Sequence, residues 1–205
     1  MESNAIVQYM QSNVTWDTLT VMPCPYRDSL FKRVLNTFNG RSVNIFQIGA
    51  IETFEDIYRK GSGWSDIWFG SYIKKFGGNY HVADINVDHI ANSLFLANGV
   101  GYQCNARIGD GLEAMQQAPV CDFYYLDGAD IAQSSDAHQQ TLEQFKFVEK
   151  IALGSGVHTR DVSVLVDDVP TKALDLVKYL DENDISYEKL PQFGSGMIYK
   201  RWENK

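Results

Sequence analysis

Cysteine is scarce and badly placed for bonding. Cys24, Cys104 and Cys121 are odd in number and far apart, and no CxxC pair occurs. That pattern excludes a disulfide framework and a cysteine zinc site. Clusters of basic charge are also few and short, the clearest being Lys74-Lys75 and Lys200-Arg201, and 18 Lys and Arg against 26 Asp and Glu leave a net charge of −8. Affinity for a phosphate backbone rests on clustered Lys and Arg, so a nucleic-acid partner is disfavoured. No apolar run approaches the roughly 18–20 residues needed to span a bilayer. The opening "MESNAIVQYMQSN" lacks the basic and apolar regions of a signal peptide. Repeats, low-complexity tracts and linkers are missing too. What remains is a soluble protein of a reducing compartment, read as cytoplasmic, with no membrane partner and with a small molecule as its expected substrate. Assembly into a homo-oligomer stays open.

What is present suits a packed core. Of 205 residues, 44% are hydrophobic and 13% aromatic, enough for one substantial domain. From residue 43 onward, short β-rich runs alternate with segments of helical period, which argues for a mostly parallel sheet covered by helices. The expected strands are 43–48, 79–84, 102–108, 121–126, 162–167, 186–190 and 196–202. Helices are expected at 65–76, with Ser65 or Asp66 as N-cap, at 87–99, stopped by Asn98-Gly99, at about 135–152 and at 171–183. In the last of these, Ala173, Leu176, Val177 and Leu180 share one face. Strands six and seven leave no room for a helix between them and should pair antiparallel at one edge. Residues 1–42 precede the pattern, with a helix expected over 26–38; the segment is either a cap over the site or a helix on the sheet.

Ligands of open α/β sheets bind outside the carboxyl ends of the strands. Here those ends carry Gly49-Ala50, Asp84, Gly109-Asp110-Gly111, Asp127-Gly128 and Asp167-Asp168. A carboxylate at Asp84 can accept two hydrogen bonds from a ribose diol; its plainer role is to cap the next turn. Downstream of strand one, "GSGWSD" (61–66) has the small-residue texture of a ligand-approaching loop, or of a surface loop. It does not fit the dinucleotide fingerprint, because Asp66 takes the last place and the motif is detached from its strand.

In this order the strand ends resemble those of class I S-adenosylmethionine-dependent methyltransferases, over about residues 43–202. The resemblance implies an α/β fold: a seven-stranded Rossmann-like sheet, mostly parallel with an antiparallel last strand, and helices on both faces. A methyltransferase domain over 43–205 would follow the N-terminal helical segment 1–42. The resemblance further implies that Gly49 and Ala50, with Gly61, Gly63 and Ser65 displaced by the insertion 51–60, hold the methionine part of S-adenosylmethionine. Asp84 would hold the ribose, Asp110 would lie by the adenine, and Asp127 would touch both cofactor and acceptor. An Asn/Asp-Pro-Pro-aromatic signature is absent after strand four, where "LDGAD" stands, which disfavours methylation of an exocyclic base amine.

Asp127, Asp167 and Asp168 should converge at neighbouring strand ends. Three close carboxylates repel one another unless a cation neutralises them, and oxygen-only ligands suit Mg²⁺ or another hard divalent cation. The pattern is similar to divalent-metal-dependent O-methyltransferases of the catechol type, which implies a hydroxyl acceptor on a small molecule. Those enzymes carry a basic Lys three residues after the first metal Asp, where this chain has Asp130. His138 is then the nearest candidate for the catalytic base, alongside Asp127. The alternative is that Asp127 and Asp168 cap turns and His138 is structural. Two further readings stand beside this one: a non-catalytic interaction module on the same fold, and another nucleoside-using transferase such as an aminopropyltransferase.

Overall fold

The computed structural model describes residues 14–21, 26–54, 64–128, 134–154, 161–192 and 195–203. In chain order the elements are α1 (Trp16–Val21), α2 (Tyr26–Asn36), β1 (Val43–Ile48), α3 (Ser65–Phe76), β2 (Gly78–Asp84), α4 (Val87–Val100), β3 (Cys104–Ile108), α5 (Gly111–Gln117), β4 (Phe123–Leu126), α6 (Ala137–Leu153), β5 (Val162–Val166), α7 (Val169–Lys172), α8 (Leu174–Glu182), β6 (Glu188–Gln192) and β7 (Ser195–Trp202). The strands form one seven-stranded sheet in the order β3-β2-β1-β4-β5-β7-β6. Pairs β2–β3, β1–β4 and β4–β5 are parallel, whereas β7 runs antiparallel to both β5 and β6. This is the expected Rossmann-like sheet with its antiparallel edge. No helix of the described residues is long and apolar enough to cross a membrane.

By compactness the chain divides into two units, Met1–Asn44 with Ala50–Gly109, and Ile45–Gly49 with Asp110–Lys205. The first is organised around α3. Every residue from Ser65 to Ile73 is buried, because α1, α2 and α4 cover it as well as β2. Trp16 packs edge-on against Trp68 and Tyr72, and Phe31 against Phe69. The Trp68 indole donates to Asp28 at 2.7 Å, which satisfies a buried carboxylate and fastens α2 to α3.

In the second unit β4 and β5 are buried along their whole length, as near-continuous apolar strands covered on both faces should be. Helix α6 lies against α7, α8 and both strands.

Most element ends shift by a residue or two from expectation, and three of the differences have a clear physical reason. Helix α4 runs past Asn98-Gly99 and caps at Gly101, which sits in the left-handed region and donates to Ala97 O; Val100 is buried, and packing holds that last turn. Helix α3 takes Trp64 as its N-cap, with no side-chain cap, so Ser65 and Asp66 lie inside the first turn. The helix expected over 171–183 is two: α7 ends at Lys172, Ala173 turns at φ −126, ψ 19, and α8 follows. Ala173, Leu176 and Leu180 are nonetheless fully buried.

The tight packing of α3 predicts the sign of one substitution. Replacing a mid-helix glycine by alanine ordinarily gains about 1 kcal/mol. At Gly70, however, a Cβ would come within 2.2 Å of the Tyr102 ring, and overpacking of that kind loses about 1–3 kcal/mol. Gly70→Ala should therefore lower the urea unfolding midpoint; an unchanged or higher midpoint would show that the ring moves aside freely.

Candidate functional site

Two clusters of polar groups stand at strand ends, one in each unit. In the first, Asp84 closes β2. Its Oδ2 accepts the Ala50 amide at 2.8 Å and lies 3.1 Å from His89 Nδ1, while Oδ1 accepts the Asn86 amide at 2.8 Å. Asn86 then caps α4 by accepting the Asp88 amide, so the carboxylate is positioned by a short, well-ordered turn. An ionised carboxylate offers about four acceptor positions. Three are used by described residues, and one of those three partners is a side chain that can turn away.

Around Asp84 the surface is apolar where it has no structural reason to be. Ile85 is 75% exposed, and Ile108, the residue paired with Asp84 across β2 and β3, is 61% exposed. A fixed acceptor beside an uncovered apolar ledge matches the needs of a nucleoside, whose sugar hydroxyls donate and whose base wants a dry surface. The residues present fit a nucleoside cofactor. Ile85 and Ile108 went unnoticed in the sequence because an apolar residue at a strand end reads as core.

In the second unit, Asp127, Asp167 and Asp168 converge as expected, each offering an oxygen within 4.8 Å of the others. Asp127 follows β4, the other two follow β5, and the parallel pairing Leu126↔Val166 sets them side by side. Asp167 is fully buried. The Tyr125 hydroxyl lies between two of the acids, 2.6 Å from Asp167 Oδ2 and 3.1 Å from Asp127 Oδ2. Asp167 Oδ1 accepts the Asp168 amide at 2.8 Å. Tyr125 thus belongs to this cluster rather than to a substrate pocket wall.

A fourth charged group lies among the acids that sequence reasoning missed. Lys172 is buried, its ammonium hydrogen-bonds Asp127 Oδ1, and it stands 3.9 Å from Asp168 Oδ2. Burial pulls its pKa down, but Asp127, Asp167 and Asp168 together overcome that and the net displacement is upward. The ammonium is therefore held protonated. A divalent cation drawn to these oxygens would meet a like charge already seated on two of the three acids.

The remaining expected residues are dispersed in role. Gly49 (φ +89) passes so close to the end of β4 that a Cβ would lie 2.1 Å from Asp127 O, which accounts for glycine there without a ligand. Asp110 caps α5, its Oδ1 accepting the Glu113 amide at 2.9 Å. Ser65 is buried in the first turn of α3. His138 Nδ1 accepts the Leu174 amide at 3.2 Å, pinning the start of α8 and leaving the ring proton on Nε2. Gly61, Gly63, Asp130 and Cys24 lie outside the described residues.

No protein-family model and no curated protein matches the sequence. Solved structures do match. A methyltransferase of Podospora anserina, PaMTH1, solved with S-adenosylhomocysteine bound, is 16% identical and superposes with a TM-score of 0.56, over 99% of this chain and 96% of that one. A Listeria monocytogenes protein assigned as a class I S-adenosylmethionine-dependent methyltransferase is 13% identical, with TM-score 0.54 over 95% and 70%. The Bacillus subtilis tRNA methyltransferase TrmK is 12% identical, with TM-score 0.50 over 84% of this chain and 64% of its own length. This chain thus spans just under two thirds of that enzyme. Identities this low establish shared architecture: the chain has the class I S-adenosylmethionine-dependent methyltransferase fold.

The Tyr125 hydroxyl is the testable joint of the second cluster. Tyr125→Phe keeps the ring's packing and takes a donor from two carboxylates, one of them without solvent. Hydrogen bonds to charged groups are worth about 1.5–3 kcal/mol, so the variant should lose roughly that much stability in urea titration at unchanged m value. A loss below about 0.5 kcal/mol would mean that other donors replace the hydroxyl.

Proposed function

We propose that this protein is an S-adenosylmethionine-dependent methyltransferase whose acceptor is a hydroxyl of a small molecule. The observation that carries the cofactor half is Asp84: a carboxylate fixed at the end of β2 by the Ala50 and Asn86 amides, beside exposed Ile85 and Ile108. In this reading Asp84 receives the ribose hydroxyls, and His89 gives up its place on Oδ2 to one of them. Ile85 and Ile108 form the dry ledge under the base. Gly49, Ala50, Ser65 and Asp110, with Gly61 and Gly63, are the further candidates for the cofactor.

When bound, the cofactor supplies a methyl group on a sulfonium, already a good leaving group. The chain's part is then mainly to hold the acceptor in line and exclude water. Two features favour a small acceptor over the RNA on which TrmK acts: the net charge of −8 and the fewness and shortness of the basic clusters. The amino-methyltransferase signature is also missing after β4, which favours oxygen over an exocyclic amine. Asp127 and His138 remain the proposed catalytic groups, His138 as base only once its Nδ1 is released from the Leu174 amide.

Calorimetric titration with S-adenosylhomocysteine checks the cofactor site directly. The wild-type protein should bind in the micromolar range. Asp84→Asn keeps the side chain's shape but removes the charge, and should weaken binding about 10–100-fold through the loss of charge-assisted hydrogen bonds. Equal binding by the two proteins would remove Asp84 from the site, and no binding by either would remove the methyltransferase reading.

A further inference from the structure

The expectation of a divalent cation rests on three converging acids, and the fold brings a cation of its own to the same place. Among these groups only Asp167 and Lys172 are deeply buried. The side chains of Asp127 and Asp168 keep 20% and 24% of their exposure, against 8% for Lys172. Part-exposed carboxylates retain much of their hydration and are screened by solvent. The dry part of this cluster thus holds one ammonium, Lys172, and one carboxylate, Asp167, which accepts from the Tyr125 hydroxyl. The surplus negative charge stands where water can meet it.

The way Lys172 reaches this position is built into the backbone. Asp168 adopts a left-handed conformation (φ 43, ψ 60), rare for a residue with a side chain, and opens α7 with Pro170 in its first turn. The Lys172 amide donates back to Asp168 O at 3.0 Å. One helical turn thus carries Lys172 over the residue that begins it, at the i,i+4 spacing of an ion pair. Helix α7 then stops at once, at Ala173.

We propose that the Lys172 ammonium occupies the place of a divalent cation, so that the Asp127–Asp167–Asp168 cluster is a metal-independent charge centre. It hydrogen-bonds Asp127 and stands 3.9 Å from Asp168, carboxylates that in a metal-dependent enzyme would be ligands, and it cannot leave as a metal can. Removal of the lysine should turn the same oxygens into a metal site. This inference does not need the methyl donor, so its failure and that of the cofactor site are separately visible.

The test is binding of Mn²⁺, followed by electron paramagnetic resonance of the free ion, to protein dialysed against chelator and then against metal-free buffer. Wild-type protein should show no site tighter than millimolar. Lys172→Met should bind Mn²⁺ at least about a hundredfold more tightly, because a unit positive charge some 4 Å from a divalent ion opposes binding by several factors of ten at the effective dielectric constant of about 20 usual near a protein surface. Mg²⁺ should compete for that site, and adding Asp127→Asn should abolish it. If the methionine variant does not fold, Lys172→Gln, which keeps a donor of similar reach, takes its place. Tight stoichiometric Mn²⁺ binding by the wild type overturns the proposal, and so does failure of the folded lysine variant to gain a site.

Discussion

Everything at the ends of β4 and β5 follows from one demand: Asp167 has no access to water. A buried carboxylate with no partners would be many kcal/mol unfavourable, and real proteins meet that penalty with hydrogen bonds and an opposite charge. Here the hydroxyl of Tyr125, the amide of Asp168 and the ammonium of Lys172 supply them. The left-handed turn at Asp168 is a consequence. Such a conformation costs of order 1–3 kcal/mol and persists where surrounding contacts over-determine it. Those contacts include the Asp168 amide on Asp167 and the return bond from Lys172.

The two acid sites are opposites in chemical character. Asp84 is met by two backbone amides and an imidazole nitrogen, and stands next to exposed apolar side chains. Hydrogen bonds to a carboxylate are worth about 1.5–3 kcal/mol, and a ligand hydroxyl that replaces the imidazole makes one of the same kind. The Asp127 cluster is held by an ammonium that is itself buried. Breaking a buried ion pair by removing one partner typically loses 3–5 kcal/mol, so that arrangement resists exchange. In the proposed reading the first site serves a ligand that comes and goes, and the second a fixed charge.

The fold was legible because its signals are local. β-rich runs such as "VSVLV" sit between turn residues, and the closeness of the last two strands forces the antiparallel edge. Positions of the acids followed from strand ends alone. Lys172 was not legible for a different reason. Its contact with Asp127 spans 45 residues of sequence, and it depends on a helix break at Ala173 that no helix-stopping residue announces. Only the Asp168–Lys172 spacing was visible beforehand, and such a pair on a helix is ordinarily a solvent-exposed one. Trp64 as the cap of α3 was hidden similarly, since tryptophan has no cap chemistry and its place is set by packing against Phe54.

A fold shared with a tRNA methyltransferase does not carry that enzyme's acceptor with it, because function lives in the residues grafted onto a scaffold. In the proposed reading Asp84 holds the nucleoside of the methyl donor, and so says nothing of what is methylated. Discrimination has to come from the β4 and β5 ends. There a divalent cation would have offered two open coordination positions and a Lewis acid to any acceptor with adjacent oxygens. An ammonium held by its own chain offers neither. Beyond its bond to Asp127 it has N–H donors to give, but no open coordination position for a chelating pair. In the proposed metal-independent reading, Lys172 thus takes from this arrangement of acids the means of chelating an acceptor.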